Sequence, residues 1–273
     1  MGRASWSVGV LGVVWVTVSM RVMSAGHGYR YLTSSVAIGD GQRQSGLPLT
    51  AYYTADGTPP GRWLGSGLAG LGDGRVRPGD VVEEPQLALL LGEGRDPITG
   101  DPLGRAYPQY LSRAERVAAR VARLDAGLDR EQRAAAMASI ESAEASRPTR
   151  RAVAGYDLTF SVPKSVSVLW ALAPADVQAK IVTAHHAAID DVLRLFEAEV
   201  AATRMGADAG DGAVAQVDVT GVSAVAFDHV DSRAGDPQLH THVVIANKVQ
   251  TALDGKWRSL DGRALHVVFD AAH

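Results

Sequence analysis

The sequence predicts an α+β fold, a central antiparallel sheet with flanking helices. Three features carry that expectation. Residues 14–22 alternate Val14, Val16, Val18, Met20 and Val22 with Trp15, Thr17, Ser19 and Arg21, the period of a half-buried strand. Residues 175–204 place Val177, Ile181, Ala184, Ala188, Val192, Phe196 and Val200 at helical spacing. Two β-rich runs, 213–230 and 239–249, are joined by "VDSRAGDPQL", whose glycine and proline can return the chain as a hairpin.

The remaining elements follow in order. The apolar run 8–20 is too short to span a bilayer. No A-x-A cleavage site follows it, so a first strand is preferred over an export signal. Met20 and Met23 are alternative start positions, which makes 1–19 a candidate non-native extension and 20–273 the folded domain. Gly26 and Gly28 mark a turn, and 29–37 reads as a short helix. Residues 41–80 read as loop with short elements, and 90–105 as a turn between short strands. The Ala, Arg and Glu-rich stretch 111–146 reads as two helices broken near Gly127, within a helical insertion at about 107–150. A basic link, a strand and a helix beginning near Pro163 fill 147–172. The run 213–230 reads as one strand bent at Gly221.

Composition narrows the chemistry. Hydrophobic content of 46% and charged content of 21% suit a soluble globular core, and the expected location is the cytoplasm. The net charge of −3 means that a nucleic-acid partner needs a local basic surface. Cysteine is absent, so disulfides and thiolate metal sites are excluded, leaving His, Asp or Glu as ligands.

His240 and His242 lie two apart in a strand-like run and therefore share a face, roughly 6.5–7 Å apart along the chain. Val225, Phe227 and His229 share a face of the preceding strand. A hairpin would return His229 beside the pair and complete a three-histidine metal site with open positions for substrate oxygen. The bland reading is imidazoles on a wet sheet face. His185 and His186 lie mid-helix without partner spacing and read as structural. Tyr29, Tyr31, Tyr52 and Tyr53 are candidate nucleophiles that would need a base or a cation, since the ordinary phenol pKa is near 10. Asp157 sits with Thr159 and Ser161 on the polar face of its strand and is the candidate base. Taken alone, each of these is more commonly structural. Candidate phosphate contacts are Arg113, Arg116, Arg120 and Arg123 on one helix, Arg147, Arg150 and Arg151 in the basic link, and Lys164 at the next helix start. Trp63 and Trp257 read as core residues rather than base-stacking platforms.

Taken together, "YDLTFSVPKSVSVLWAL", "HVDSRAGDPQLHTHVVIANKV", "SAGHGYRYLTS", "YYT" and "GRWLGSGLAGLG" resemble conjugative relaxases of the TrwC/TraI (MobF) family, within the HUH endonucleases. The likeness runs from about residue 20 to about residue 266. The resemblance implies a palm-like relaxase sheet and nicking with strand transfer on single-stranded DNA at a transfer origin. It implies that His229, His240 and His242 hold a divalent metal, Mg²⁺ or Mn²⁺ first and Zn²⁺ as an alternative. It implies that a tyrosine forms a 5′-phosphotyrosine link, with Asp157 activating it. Tyr31 falls at the first catalytic position, but the expected adjacent tyrosine is Leu32 and Tyr29 lies upstream, so both stay open. Tyr52 and Tyr53 match the second tyrosine pair, which serves a second transfer in some members. Accessory relaxosome proteins are implied as partners, and membrane insertion is not. The chain has no G-x-x-x-x-G-K-[ST] phosphate loop, and "VVFDAAH" departs from the family pattern, implying a relaxase domain incomplete at its C-terminus. Alternatives are a noncatalytic DNA-binding remnant or an unrelated three-histidine metallohydrolase.

Overall fold

The structure, a computed structural model, describes residues 5–10, 14–33, 60–206, 214–232 and 234–270. Two compact units make up the chain: 1–106 with 153–273, and 107–152.

The larger unit is built on a six-stranded sheet in the order β1-β2-β4-β8-β7-β3, antiparallel at every pairing. Its strands are β1 (Ser5–Val10), β2 (Val14–Ser24), β3 (Arg62–Leu64), β4 (Val153–Ser161), β7 (Ala224–Asp231) and β8 (Pro237–Ala246). Side-chain alternation gives the sheet two different faces. The back face carries Val16, Val18, Leu158, Phe160, Ala224, Ala226, Val243 and Ile245, all buried in one core cluster. The long helix α5 (Ala175–Glu199) covers that face with Ala188, Ile189, Leu193 and Phe196. The front face carries the polar residues of the candidate site.

Several expectations need correction. The boundary placed after residue 19 falls inside β2, where Val16 and Val18 are 3% and 2% exposed and belong to the core. The long helix ends at Glu199, not 204, and its buried stripe runs through His185, Ala188, Ile189, Leu193 and Phe196, with Ala184 exposed. Residues Ala202–Met205 form a strand, β5, paired with β6 (Ala215–Asp218) in a separate two-stranded sheet. The run 213–230 is therefore two strands in two sheets. Gly221 between them has φ 133°, and a Cβ there would sit 1.9 Å from Ser66 Oγ, so only glycine fits this crossing. Between 90 and 105 the expected strands reduce to one isolated bridge, Arg95 with Pro102, after the short helix α1 (Glu84–Leu87) and the π-helical turn Ala88–Glu93. Of the proposed helix 29–37, a 3₁₀ turn covers Gly28–Thr33 and the remainder lies outside the described residues. Val249–Gln250 is a separate short strand, β9, paired with β10 (Trp257–Arg258).

Other elements agree with the sequence reading. Helix α4 (Lys164–Leu172) starts directly after Pro163, and Trp63 is a core residue at 1% exposure. Helix α6 (Gly262–Asp270) closes the described chain. Among the described residues no helix is long and apolar enough to cross a membrane.

The smaller unit holds helices α2 (Arg113–Val121) and α3 (Arg130–Ala145), each opened by a capping box, at Ser112 with Glu115 and at Asp129 with Gln132. Its centre is Glu144, shielded from solvent and gripped by Arg116 at 2.7 Å, Arg120 at 3.1 Å and Arg147 at 3.3 Å. The Arg116 hydrogen bond leads the guanidinium contacts that pull the Glu144 carboxyl down to about 2. Three of the arginines read as phosphate contacts are thus engaged inside this unit. Arg150 and Arg151 are exposed.

Candidate active site

Register places the site on the front of the sheet. His229 on β7 pairs directly with His240 on β8, and His242 pairs with Thr159 on β4. All three rings lie on one face, with centroids 5.0–5.4 Å apart. One nitrogen from each ring comes within 4.8 Å of the others, close enough to share an ion.

The outer nitrogens are anchored. His240 Nδ1 donates to the Gln238 carbonyl at 2.8 Å, which leaves Nε2 to ligate. His242 Nδ1 lies 2.9 Å from Asp157 Oδ1 and 3.2 Å from Thr159 Oγ1, again leaving Nε2. His229 Nε2 reaches the Leu32 carbonyl at 3.4 Å, while its Nδ1 is buried with no partner. An orphaned, buried ring nitrogen facing two anchored imidazoles fits a metal ligand set. Burial pushes His229 down to about 4 and also lowers His240, so both are neutral near pH 7, the form that binds metal.

The tyrosine arrives from the segment after β2. Register shifts between Met23 and Ser24, the chain turns at Gly26 with φ 80°, and the Gly28–Thr33 turn follows. That path brings Tyr31 to the sheet front, where its hydroxyl donates to Asp157 Oδ2 at 2.5 Å. The Tyr31 ring meets His242 edge-on at 6.0 Å. Burial first, then the Asp157 charge and hydrogen bond, raise the phenol well above its usual range, and Arg21 opposes them. Asp157 thus links the tyrosine to one histidine of the three-ring cluster. Tyr29 is buried in packing at 4% exposure. Tyr52 and Tyr53 lie outside the described residues. Lys164 pairs with Asp236 and donates to the Pro237 carbonyl at 2.8 Å, beside the hairpin tip.

Two features escaped sequence reasoning. One is Arg21, whose guanidinium lies 5.5 Å from the Tyr31 ring centroid. Its parity with Thr17 and Ser19 was the available signal. The other lies behind the histidines. Asp228 and Thr241 alternate with the front-face histidines and so point to the back, where Thr241 donates to Asp228 at 2.6 Å. Arg62 and His186 reach Asp228 at 2.7 and 2.9 Å, and His185 reaches Thr241 at 2.9 Å. Burial works to raise Asp228, but the His186 hydrogen bond and the Arg62 charge outweigh it and hold the carboxyl low. The mid-helix histidines, which had no partner spacing in the sequence, find partners in Thr241 and Asp228 and brace the strands beneath the site.

His185 also makes stability depend on pH. Burial is the largest cause, taking it from 6.5 to about 4. A value depressed in the folded state gives stability that is complete above about pH 6.5 and lost as pH falls toward 4, at most about 3 kcal/mol. Urea unfolding of the parent and of His185→Gln across pH 4–7 checks this, and the variant should show the flatter profile.

A front-face three-histidine cluster beside a tyrosine–aspartate pair, on an antiparallel sheet backed by a long helix, defines a relaxase-type domain. The chain belongs to the TrwC relaxase family, whose profile matches residues 25–272. It is 45% identical over 107 residues to the multifunctional conjugation protein TraI of Escherichia coli, covering 39% of this chain and 6% of that protein. The strain K12 form is 43% identical over the same length. A copper-bound structure of conjugative relaxase TrwC in complex with oriT DNA matches with a TM-score of 0.54 and 25% identity over 93% of this chain and 66% of that one. A metal-bound TrwC–oriT complex matches at 0.53 with 26% identity, covering 93% and 67%. The chain thus spans 6% of the curated relatives' length and about two thirds of the solved TrwC chains.

Proposed function

We propose that the chain nicks single-stranded DNA at a transfer origin and transfers the strand, through a covalent tyrosine link. The Tyr31–Asp157–His242 connection carries the reading, because it joins a hydroxyl nucleophile, a proton acceptor and a metal ligand in one hydrogen-bonded line. Family membership and the metal-bound, DNA-bound TrwC structures support it.

His229, His240 and His242 would hold a divalent cation. When bound, that cation supplies positive charge for the non-bridging phosphate oxygens and for the charge that develops during attack. Imidazole nitrogen suits Zn²⁺ better than Mg²⁺, while phosphate oxygens in the open positions suit Mg²⁺ and Mn²⁺, so these are the ions to compare. The chain's own residues do the rest. Asp157 orients the Tyr31 hydroxyl and accepts its proton. The tyrosine oxygen bonds to phosphorus, the bond from phosphorus to the 3′ oxygen breaks, and that oxygen takes up a proton from solvent. Phosphodiester energy is retained in the tyrosine link, so reversal rejoins the strand without a nucleotide cofactor. Tyr29 is assigned to packing, and Tyr52 and Tyr53 to a second transfer. Arg150, Arg151 and Lys164 are proposed phosphate contacts. The reaction is assigned to the cytoplasm, with accessory relaxosome proteins as partners.

The test is incubation with single-stranded DNA carrying the transfer origin of the encoding element, with and without Mg²⁺, Mn²⁺ or Zn²⁺. A detergent-resistant, metal-dependent protein–DNA product is expected. Absence of both product and strand binding overturns the reading.

A further inference from the structure

Arg21 stands out among the charged groups of the front face. It is exposed, forms no ion pair among the described residues, and lies over the Tyr31 ring at 5.5 Å. It pairs across β2 and β4 with Asp157, yet the Asp157 oxygens are taken by Tyr31 and His242. Among the described residues the guanidinium donors have no hydrogen-bond or ion-pair partner, and they lie beside a carboxylate that is already engaged. Strand order puts Arg21 on the β2 side of Asp157 and the three histidines on the β8 side. Hydroxyl residues surround it on the same face: Thr17 and Ser19 on β2, facing Ser161 and Thr159 on β4. A free guanidinium with a row of hydroxyls beside the nucleophile matches the oxygens of a phosphodiester.

We propose that Arg21 is a catalytic residue that grips the phosphodiester under attack from the side of Tyr31 away from the histidines, and shields the charge that grows on the phenolic oxygen. It rests on the functional reading above and assigns a residue which that reading leaves unused. Because both contacts are electrostatic, Lys should restore part of what a neutral residue loses, though not the two-pronged geometry.

The experiment compares Arg21→Gln and Arg21→Lys with the parent. First, covalent product formation is timed with origin single strand and metal. Arg21→Gln is expected to be slower by on the order of 10²-fold, with Arg21→Lys between it and the parent. Second, strand binding without chemistry is measured by anisotropy at several salt concentrations, all in a Tyr31→Phe background. Removing one phosphate contact should lower the slope of log K against log salt by about 0.7. A product rate within about twofold of the parent overturns the proposal. An unchanged salt slope overturns it as well, whatever the rate does, because a purely structural role would spare the slope. Parent protein that gives no covalent product in any ion counts against the functional reading, and the salt slope still judges Arg21 by itself.

Discussion

Tyr31→Phe should abolish the covalent DNA product, by at least about 10⁴-fold, while leaving strand and metal binding within a few-fold of the parent. The substitution keeps the ring and its edge contact with His242 and deletes only the oxygen that reaches Asp157. Tyr29→Phe should behave oppositely, with product formation almost unchanged, because Tyr29 is buried in packing and it is the Tyr31 hydroxyl that reaches that carboxylate. Gel separation of labelled strand after denaturation reads both variants. Product from Tyr31→Phe at the parent rate would move the nucleophile to another tyrosine.

The second large effect concerns the metal. His240→Ala should weaken divalent-ion binding by more than about 100-fold, since losing even an outer partner of a ligand typically costs 10–100-fold. His240 is the informative choice. Its outer nitrogen goes only to the Gln238 carbonyl, whereas removing His242 also strips a partner from Asp157 and confuses two effects. Calorimetric titration with Mn²⁺ and Zn²⁺ reads the affinity directly. Chelator treatment of the parent should reproduce the loss of DNA product and be reversed by added ion. Parent-like affinity in His240→Ala would remove this histidine from the ligand set.

Much of this site was legible because a strand has a period of two. The spacing of His240 and His242, the parity of His229 and the polar placement of Asp157 all follow from alternation, and register then aligns them. What alternation cannot supply is the identity of partners from distant elements. His185 and His186 had no visible spacing partner because their partners, Thr241 and Asp228, lie on strands that meet the helix only in the folded chain. Arg21 read as one polar residue of an amphipathic strand, since only the folded segment 25–33 lays Tyr31 across it. The fused reading of 213–230 failed for a related reason. Gly221 marks a change of sheet rather than a bend, and a close approach to Ser66 is invisible in a linear sequence. The stripe of α5 was mis-phased because His185 and Leu193, not Ala184 and Val192, are its most buried members at those turns.

Strands β7 and β8 carry different chemistry on odd and even positions: imidazoles forward, Asp228 and Thr241 backward. Inserting or deleting a single residue inside either strand would exchange these faces, turning the imidazoles into the apolar interior and the Asp228 carboxylate to the front. Natural length variation in this region should therefore be confined to the connection around 232–236, where added residues lengthen the loop without inverting the strands.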